Sequence, residues 1–216
     1  MNRVQRGLLL GSLLAALAFV VPLVVLVGRQ FDPLVRLDLR VHDALVLGPG
    51  AARDVVLAVT QLGAPLLLEL VTLVAAGVLL RRGRRRLAAY VLTCVVGAEL
   101  VSVSLKALVG RQRPCLDDLG CPMTSSFPSG HAVGAAAFWV AAAVVLLPVL
   151  GRRAWWLIAL APVVALTRLL LGVHYLSDVS AGLLVGGCWS AATTAVFAAW
   201  RDERAGREVP LEQGVG

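Results

Sequence analysis

Two histidines in the sequence have surroundings that favour different chemical roles. In the stretch VHYLSD (173–178), His174 precedes Asp178 by four residues. On a helical turn, this spacing lets the carboxylate accept a proton from one imidazole nitrogen and leaves the other nitrogen free to attack. His131, in PSGHA (128–132), has no such carboxylate near it in sequence. We therefore predict that His174 is a nucleophile oriented by Asp178 and that His131 is a general acid.

Three cations and a helix start accompany these histidines. Lys106, Arg113 and Arg168 suit phosphate, because arginine offers paired donors to its oxygens and lysine adds a compact charge. Ser129 and Gly130 precede a long apolar run, and the free N–H groups at the start of such a helix favour an anion. The combination is typical of sites that stabilise a phosphoryl group in its transition state.

We expect no metal and no other cofactor at this site. The cations already supply the positive charge that a phosphoryl group needs. The sequence also lacks the carboxylate-rich clusters that hold magnesium.

The composition indicates which elements must position these residues. Of the 216 residues, 59% are hydrophobic and only 15% are charged, which is far too apolar for an ordinary soluble domain. A helix that crosses a membrane needs about 20 mostly apolar residues. We therefore predict an all-α, polytopic membrane protein with six transmembrane helices. The predicted spans are 8–28, 55–80, 87–109, 132–150, 154–171 and 179–200.

These spans are expected to form one transmembrane domain over residues 1–200. The polar segment 201–216 is expected to be a disordered cytoplasmic tail. The first apolar run is longer than the core of a signal peptide, and we expect it to be retained as a membrane anchor.

The arginines indicate how the chain is oriented. Twelve of the twenty Lys and Arg residues lie in the termini and in very short segments between spans. By the positive-inside rule, these segments and both termini are cytoplasmic. The loops 29–54, 110–130 and 172–178 then face outwards, and all the candidate site residues lie at that extracytoplasmic face of the cell membrane. The net charge of +7 therefore reflects topology and does not indicate nucleic-acid binding.

The first outer loop is predicted to contain a short helix between the first two spans. Apolar residues recur there at helical spacing, at Leu34, Leu37, Val41 and Leu45. Charged residues fall mainly on the other side, at Asp32, Arg36, Arg40 and Asp43. This pattern is typical of an amphipathic helix that lies at the membrane interface.

Two pairs of residues each allow two interpretations. Cys115 and Cys121 share the second outer loop, where they form either a local disulfide or two free thiols. Glu69 and Glu99 lie within predicted spans, where carboxylates are rare and usually face the protein interior. Glu99 shares a helix face with Lys106, so it either lies beneath the site or makes a structural hydrogen bond.

Three stretches have the spacing of a known set of motifs. KALVGRQRP (106–114) matches K-x6-R-P, PSGH (128–131) matches a second motif, and TRLLLGVHYLSD (167–178) matches S-R-x5-H-x3-D apart from its first residue. In these motifs, and over nearly its whole length, the chain resembles the type 2 phosphatidic acid phosphatase (PAP2) superfamily. The resemblance implies a six-helix membrane core, a site at the outer face and metal-independent hydrolysis through a phosphohistidine.

The resemblance also implies a role for each candidate residue. In that scheme His174 is the nucleophile, Asp178 is its partner and His131 protonates the leaving group. The residues that hold the phosphoryl oxygens are Lys106, Arg113, Ser129, Gly130 and Arg168. Thr167 stands where serine is usual, and it retains a hydroxyl.

The leading hypothesis is an integral-membrane phosphatase that removes the terminal phosphate of a lipid phosphate or diphosphate. Candidate substrates are phosphatidic acid, phosphatidylglycerol phosphate and a polyprenyl diphosphate, so the expected partners are this lipid substrate and membrane lipids. One alternative is a phosphotransferase in which a lipid or sugar hydroxyl replaces water. Another is a non-catalytic transporter or binding protein, which gives no reason for the pairing of His174 with Asp178. The sequence leaves the lipid and the oligomeric state open.

Overall fold

The computed structural model describes residues 2–114 and 124–207, with side chains as far as residue 198. In this part of the chain, every regular element is a helix. The α-helices are α1 (Arg3–Ala15), α2 (Val21–Gly28), α3 (Asp32–Leu45), α4 (Ala51–Thr60), α5 (Pro65–Arg81), α6 (Arg85–Val109), α7 (Gly130–Leu150), α8 (Leu160–Leu170) and α9 (Leu176–Arg207). A π-helical turn, Ala16–Val20, joins α1 to α2, and 3₁₀ segments span Gln61–Gly63 and Gly151–Ala159.

Five helical segments are long and apolar enough to cross a membrane. They are Arg3–Gly28, Ala51–Arg81, Arg85–Val109, Gly130–Leu170 and Leu176–Ala198. The all-helical membrane architecture expected from the sequence is therefore confirmed. The two predicted spans 132–150 and 154–171 fall within the single 41-residue segment Gly130–Leu170.

The chain turns inside that long segment, at Gly151. This residue has φ 55° and ψ −148°, a backbone conformation that glycine adopts without a steric penalty. The 3₁₀ segment and α8 that follow both pack back against α7. As a result, the end of α8 returns to the level at which α7 begins.

Small residues bring α7 and α9 into backbone contact near their starts. A Cβ atom on Gly182 would lie 2.7 Å from the Ala132 Cβ and 2.8 Å from the Ser129 carbonyl oxygen. A Cβ atom on Gly186 would lie 2.5 Å from the Val133 carbonyl oxygen. Close packing through small residues is typical of helices in membranes. The contact fixes the first turn of α7 against the second and third turns of α9.

The helix predicted in the first outer loop is present as α3, and it packs against α8 and α9. Leu34, Val41 and Leu45 are half-buried, whereas Leu37 is 45% exposed. The residue most deeply buried on α3 is Asp38, which has no exposed surface. The packed face of α3 therefore contains a buried carboxylate beside three residues of the predicted apolar stripe.

Two further expectations concern the loop after α6 and the end of the chain. Cys115 and Cys121 lie outside the described residues, as does 208–216. Helix α9 continues to Arg207, into the segment for which a disordered tail was predicted. Its last turns, RDERAGR, contain several good helix formers.

Candidate active site

The predicted site residues come together where α6, α7, α8 and α9 end or begin on one side of the molecule. Lys106 is in the last turn of α6, and Arg113 lies in the loop that follows. Ser129, Gly130 and His131 form the start of α7. Arg168 is in the last turn of α8, His174 lies in the turn after it, and Asp178 is in the first turn of α9.

His131 shows most directly how close these elements are. It interacts electrostatically with Lys106, Arg113, Arg168 and His174, which belong to the two other stretches that carry motifs. The backbone N–H of Ser129 donates to the Asp178 carbonyl oxygen at 3.0 Å. The start of α7 is thus tied to the start of α9, and all eight predicted residues form one cluster.

The His174 ring has a different partner on each nitrogen. Its Nδ1 lies 3.4 Å from Asp178 Oδ2, at the long end of hydrogen-bond distances. Its Nε2 lies 2.9 Å from Arg113 Nη1. Because a guanidinium only donates, Nε2 must be the acceptor and Nδ1 must carry the proton, which it donates to Asp178. This is the tautomer that a nucleophile attacking through Nε2 requires.

The protonation of His174 is set mainly by its burial. His174 is 2% exposed, and burial lowers its pKa from 6.5 to about 4. Asp178 opposes this shift, whereas the positive charges of Arg113 and Arg168 add to it. The ring is therefore neutral at neutral pH, with Nε2 unprotonated and accepting from Arg113.

The start of α7 and the end of α8 present buried donors to the same space. Ser129 Oγ and Arg168 Nε are buried, and neither atom has a hydrogen-bond partner among the described residues. Lys106 Nζ donates to the Pro128 carbonyl, which holds the ammonium group beside the start of α7. Buried donors without partners are costly unless a ligand satisfies them. Their positive charge and geometry suit an oxyanion.

Hydrogen bonds between two loops hold the first two motifs together. The Ser126 N–H donates to the Arg111 carbonyl at 2.8 Å, and Ser126 Oγ donates to the Gln112 carbonyl at 3.2 Å. Arg113 Nε donates to the Thr124 carbonyl at 3.0 Å. The loop that carries Arg113 is thus attached to the loop that leads into α7.

The Thr167 hydroxyl is engaged by α8 itself and by Thr60. This buried hydroxyl donates to the Val164 carbonyl at 2.6 Å and lies 2.9 Å from Thr60 Oγ1. Thr60 in turn accepts a hydrogen bond from Arg168 Nη1 at 3.1 Å. The hydroxyl at position 167 therefore supports Arg168 through Thr60, a residue that sequence reasoning missed.

Sequence reasoning also missed Arg111 and Asp38. Arg111 forms ion pairs with Asp178 at 2.8 Å and with Asp38 at 2.7 Å. A signal for Asp38 was available, since it lies four residues after Leu34 and three before Val41, on the apolar side of its helix. Arg111 was overlooked because it stands inside the K-x6-R-P motif at a position that the motif leaves undefined.

The two intramembrane carboxylates are half-buried on neighbouring helices. Glu69 on α5 and Glu99 on α6 interact electrostatically with each other, and Glu99 also interacts with Lys106. Within residues 2–114 and 124–198, no three His, Cys, Asp or Glu side chains meet in a group that could hold a metal ion.

Comparison with known proteins identifies relatives of this chain. The family model of the PAP2 superfamily matches residues 87–202. A lipid A 1-phosphatase from Rhizobium etli is 40% identical over 120 residues, which are 51% of this chain and 50% of the relative. A decaprenylphosphoryl-5-phosphoribose phosphatase from Mycolicibacterium smegmatis is 41% identical over 116 residues, 52% of this chain and 61% of the relative. The chain thus spans only about half to three fifths of these two proteins.

Two comparisons with Bacillus subtilis proteins cover more of the molecule. Phosphatidylglycerophosphatase B is 32% identical over 142 residues, 62% of this chain and 69% of the relative. The crystal structure of a transmembrane PAP2-type phosphatidylglycerolphosphate phosphatase matches 97% of this chain and 98% of its own, with a TM-score of 0.68 and 24% sequence identity. That match supports the fold, and the resemblance seen in the motifs is confirmed: the chain belongs to the PAP2 superfamily.

Proposed function

We propose that this protein is an integral-membrane phosphatase that hydrolyses the terminal phosphate of a lipid phosphate or diphosphate. The observation that carries the proposal is the environment of His174, whose Nδ1 faces Asp178 and whose Nε2 lies 2.9 Å from Arg113. This arrangement places a neutral imidazole, with its unprotonated nitrogen beside the cationic Arg113, where a phosphoryl group would bind.

Hydrolysis proceeds in two steps that use both histidines. In the first step, His174 Nε2 attacks phosphorus, the bond to the lipid oxygen breaks, and His131 gives its proton to that oxygen. In the second step, His131 removes a proton from water, and the oxygen of that water attacks phosphorus. The bond between phosphorus and His174 Nε2 breaks, and inorganic phosphate is released. Asp178 stabilises the positive charge that the His174 ring carries while it is phosphorylated.

Five groups hold the phosphoryl oxygens during both steps. They are the side chains of Lys106, Arg113, Arg168 and Ser129 and the backbone N–H of Gly130. The buried Ser129 Oγ and Arg168 Nε gain an acceptor when phosphate binds, since neither has a partner among the described residues. A Cβ atom at Gly130 would lie 3.8 Å from Lys106 Cε, so the backbone at the start of α7 runs directly beside the lysine side chain. No metal takes part in this scheme.

The chain crosses the membrane six times in this proposal. As a continuous α-helix, the 41 residues of Gly130–Leu170 would extend about 60 Å, twice the roughly 30 Å hydrocarbon core. The turn at Gly151 and the packing of α8 on α7 support two antiparallel spans instead. Helix α3 lies at the outer interface as an amphipathic helix.

The site faces outwards and both termini are cytoplasmic. Arg152 and Arg153 follow the turn at Gly151, and the cluster Arg81–Arg86 surrounds the turn between α5 and α6. These turns lie at the opposite ends of α6 and α7 from the candidate site, as the positive-inside rule requires for an extracytoplasmic site.

A hydrocarbon chain has a place beside the same helices. A groove of about 330 Å³ between α5, α6 and α7 is lined almost wholly by apolar side chains, among them Val71, Leu79, Val91 and Phe138. At the ends of these three helices, Pro65, Lys106 and Gly130 lie close together beside the candidate phosphate site. A lipid whose phosphate lies at Lys106 and whose chain follows this groove fits the proposed substrate class. The curated relatives are named for three different lipid phosphates, so the exact headgroup is for the assay to determine.

Phosphate release by the purified protein tests the proposal. The wild type and His174→Ala are assayed in detergent with EDTA, on phosphatidic acid, phosphatidylglycerol phosphate and a polyprenyl diphosphate. We expect release from at least one lipid by the wild type and a loss of at least about 1,000-fold in the variant. The control is Ser104→Ala, at an exposed position on α6, and we expect it to keep full activity. Turnover that survives in His174→Ala contradicts the proposal. If hydroxyl acceptors are added and the enzyme transfers phosphate to them instead of to water, the result favours the phosphotransferase alternative.

A further inference from the structure

The guanidinium of Arg111 bridges two buried carboxylates from different parts of the chain. Its Nη1 donates to Asp178 Oδ1 at 2.8 Å, and its Nη2 donates to Asp38 Oδ2 at 2.7 Å. Asp178 and Asp38 have no exposed surface, and the Arg111 side chain is 15% exposed. Such paired, desolvated contacts to arginine are strong and directional.

Asp38 is held from its other side by the start of α9. Its Oδ1 accepts the Ser177 N–H at 2.9 Å, and its Oδ2 accepts the Ser177 hydroxyl at 2.5 Å. One N–H that the first turn of α9 leaves without an intrahelical partner is thereby satisfied by a carboxylate from α3. Helix α3 is therefore joined to the element that carries Asp178.

The two oxygens of Asp178 have separate partners. Oδ1 accepts from Arg111, whereas Oδ2 accepts the Tyr175 N–H at 2.9 Å and faces His174 Nδ1 at 3.4 Å. The Tyr175 ring covers Arg111, with the guanidinium carbon 4.3 Å from the ring centroid. The contact to Oδ1 fixes the carboxylate plane, so Oδ2 is the oxygen that remains directed at the imidazole.

We propose that Arg111 and Asp38 are positioning residues that orient Asp178 and, through Asp178, hold His174 in the tautomer that attacks phosphate. This inference rests on the proposed function of His174. Asp38 anchors one end of the Arg111 guanidinium, and Arg111 presents its other end to Asp178. Through Asp38, helix α3 belongs to the architecture of the active site as well as to the membrane interface.

The electrostatics of the cluster agree with this assignment. Burial alone would lower the pKa of Arg111, but the charges of Asp178 and Asp38 outweigh burial and raise it, so Arg111 stays charged. The groups that act on His174 are Asp178, Arg113, Arg168 and His131. Without Arg111, the charge on Asp178 is no longer offset by a contacting cation, and His174 holds a proton more tightly.

A role in positioning therefore has a readout that a purely structural role lacks. Replacing Arg111 by an uncharged residue raises the pH at which His174 titrates, by about one unit. Replacing Asp38 leaves the Arg111 charge beside Asp178, so no upward shift follows. If Arg111 and Asp38 had a purely structural role, their replacement would change the melting temperature, but the His174 titration would not differ between the two variants.

Four full-length variants in detergent test the proposal: Arg111→Gln, Arg111→Lys, Asp38→Asn and the control Arg36→Gln. The control removes an exposed ion pair on the same helix, Arg36 to Asp32, whose side chains are 60% and 83% exposed. The measurements are kcat, KM, melting temperature and the ¹⁵N-imidazole titration of His174, whose signal is assigned by its loss in His174→Ala.

We expect Arg111→Gln to lower kcat by about 10- to 100-fold with KM changed by less than about threefold, and to move the His174 titration upwards. Arg111→Lys keeps the charge and therefore the titration, but it lowers kcat because one ammonium group cannot span both carboxylates. Asp38→Asn lowers kcat by less and gives no upward shift. Arg36→Gln behaves as the wild type.

An unchanged kcat and an unchanged titration in a folded Arg111→Gln overturn the proposal. If that variant does not fold, Arg111→Lys decides, and a wild-type kcat in Arg111→Lys overturns the proposal equally. The titration is independent of turnover. Thus, if the wild type releases no phosphate, the proposed function fails while the titration still decides whether Arg111 governs His174.

Discussion

Arg111 and Arg113 stand two residues apart in one loop, yet their guanidinium groups contact different parts of the His174–Asp178 pair. Arg111 is held between the carboxylates of Asp178 and Asp38. The contacts of Arg113 include the Thr124 carbonyl and His174 Nε2, to both of which it donates. An arginine neutralised by two carboxylates has little positive field left for an incoming anion. From this comparison we infer that Arg111 orients Asp178, whereas Arg113 lies beside the His174 nitrogen that would attack phosphate.

The largest effect should follow from removing the group on which both arginines act. In His174→Ala we expect lipid phosphate hydrolysis to fall by at least about 1,000-fold, because no other side chain can take over a covalent step. The rate is measured as inorganic phosphate released under saturating substrate. A loss of less than tenfold would mean that both arginines serve a different reaction centre.

Arg113→Gln should separate the two arginines by their response to a phosphate mimic. We expect kcat/KM to fall by about 100- to 1,000-fold and inhibition by orthovanadate to weaken in parallel, since a donor to the phosphoryl oxygens is lost. Arg111→Gln should leave vanadate inhibition within about threefold of the wild type. Inhibition constants for the two variants provide the test. Equal weakening in both would remove the distinction between the two arginines.

Gly182→Ala tests the helix contact on which the whole cluster depends. Its new Cβ would lie 2.7 Å from Ala132 and 2.8 Å from the Ser129 carbonyl, so α7 and α9 must move apart. We expect a stability loss of about 1–3 kcal/mol and a lower kcat. Gly187→Ala on the same helix is the matched control, because a Cβ there meets nothing within 4 Å. Thermal unfolding that ranks the two variants the other way would contradict this packing.

The smallest effect concerns pH. The pKa of His174 is about 4 in the folded protein, below its ordinary value of 6.5. The unfolded chain therefore takes up this proton first, and acidification from about pH 6.5 towards 4 favours unfolding. We expect the melting temperature to fall less between pH 7 and 5 in His174→Gln than in the wild type. Identical slopes would show that His174 is not buried in its neutral form.

The sequence was sufficient to predict the parts of this site that follow from local spacing. The interval between His174 and Asp178 is one helical turn, and the apolar runs that place Lys106, His131 and Arg168 at one level are visible as composition. The sequence was also sufficient for the all-helical membrane fold, because spanning helices need long apolar runs. For these features, the relevant physics acts between neighbours in the chain or along a single helix.

The contacts that sequence reasoning missed depend on tertiary packing. Asp38 and Asp178 are far apart in sequence, and only the docking of α3 against α9 brings both to Arg111. Thr60 supports Arg168 for a similar reason, since α4 packs on α8.

The central claim is that the imidazole of His174 captures the phosphoryl group, and trapping the covalent intermediate tests it most directly. Purified enzyme is mixed with a ³²P-labelled lipid phosphate, quenched within milliseconds in base and mapped by mass spectrometry. We predict an alkali-stable, acid-labile phosphate on His174 that is absent from His174→Ala. Label on another residue, or steady hydrolysis with no labelled protein at any quench time, would contradict the account.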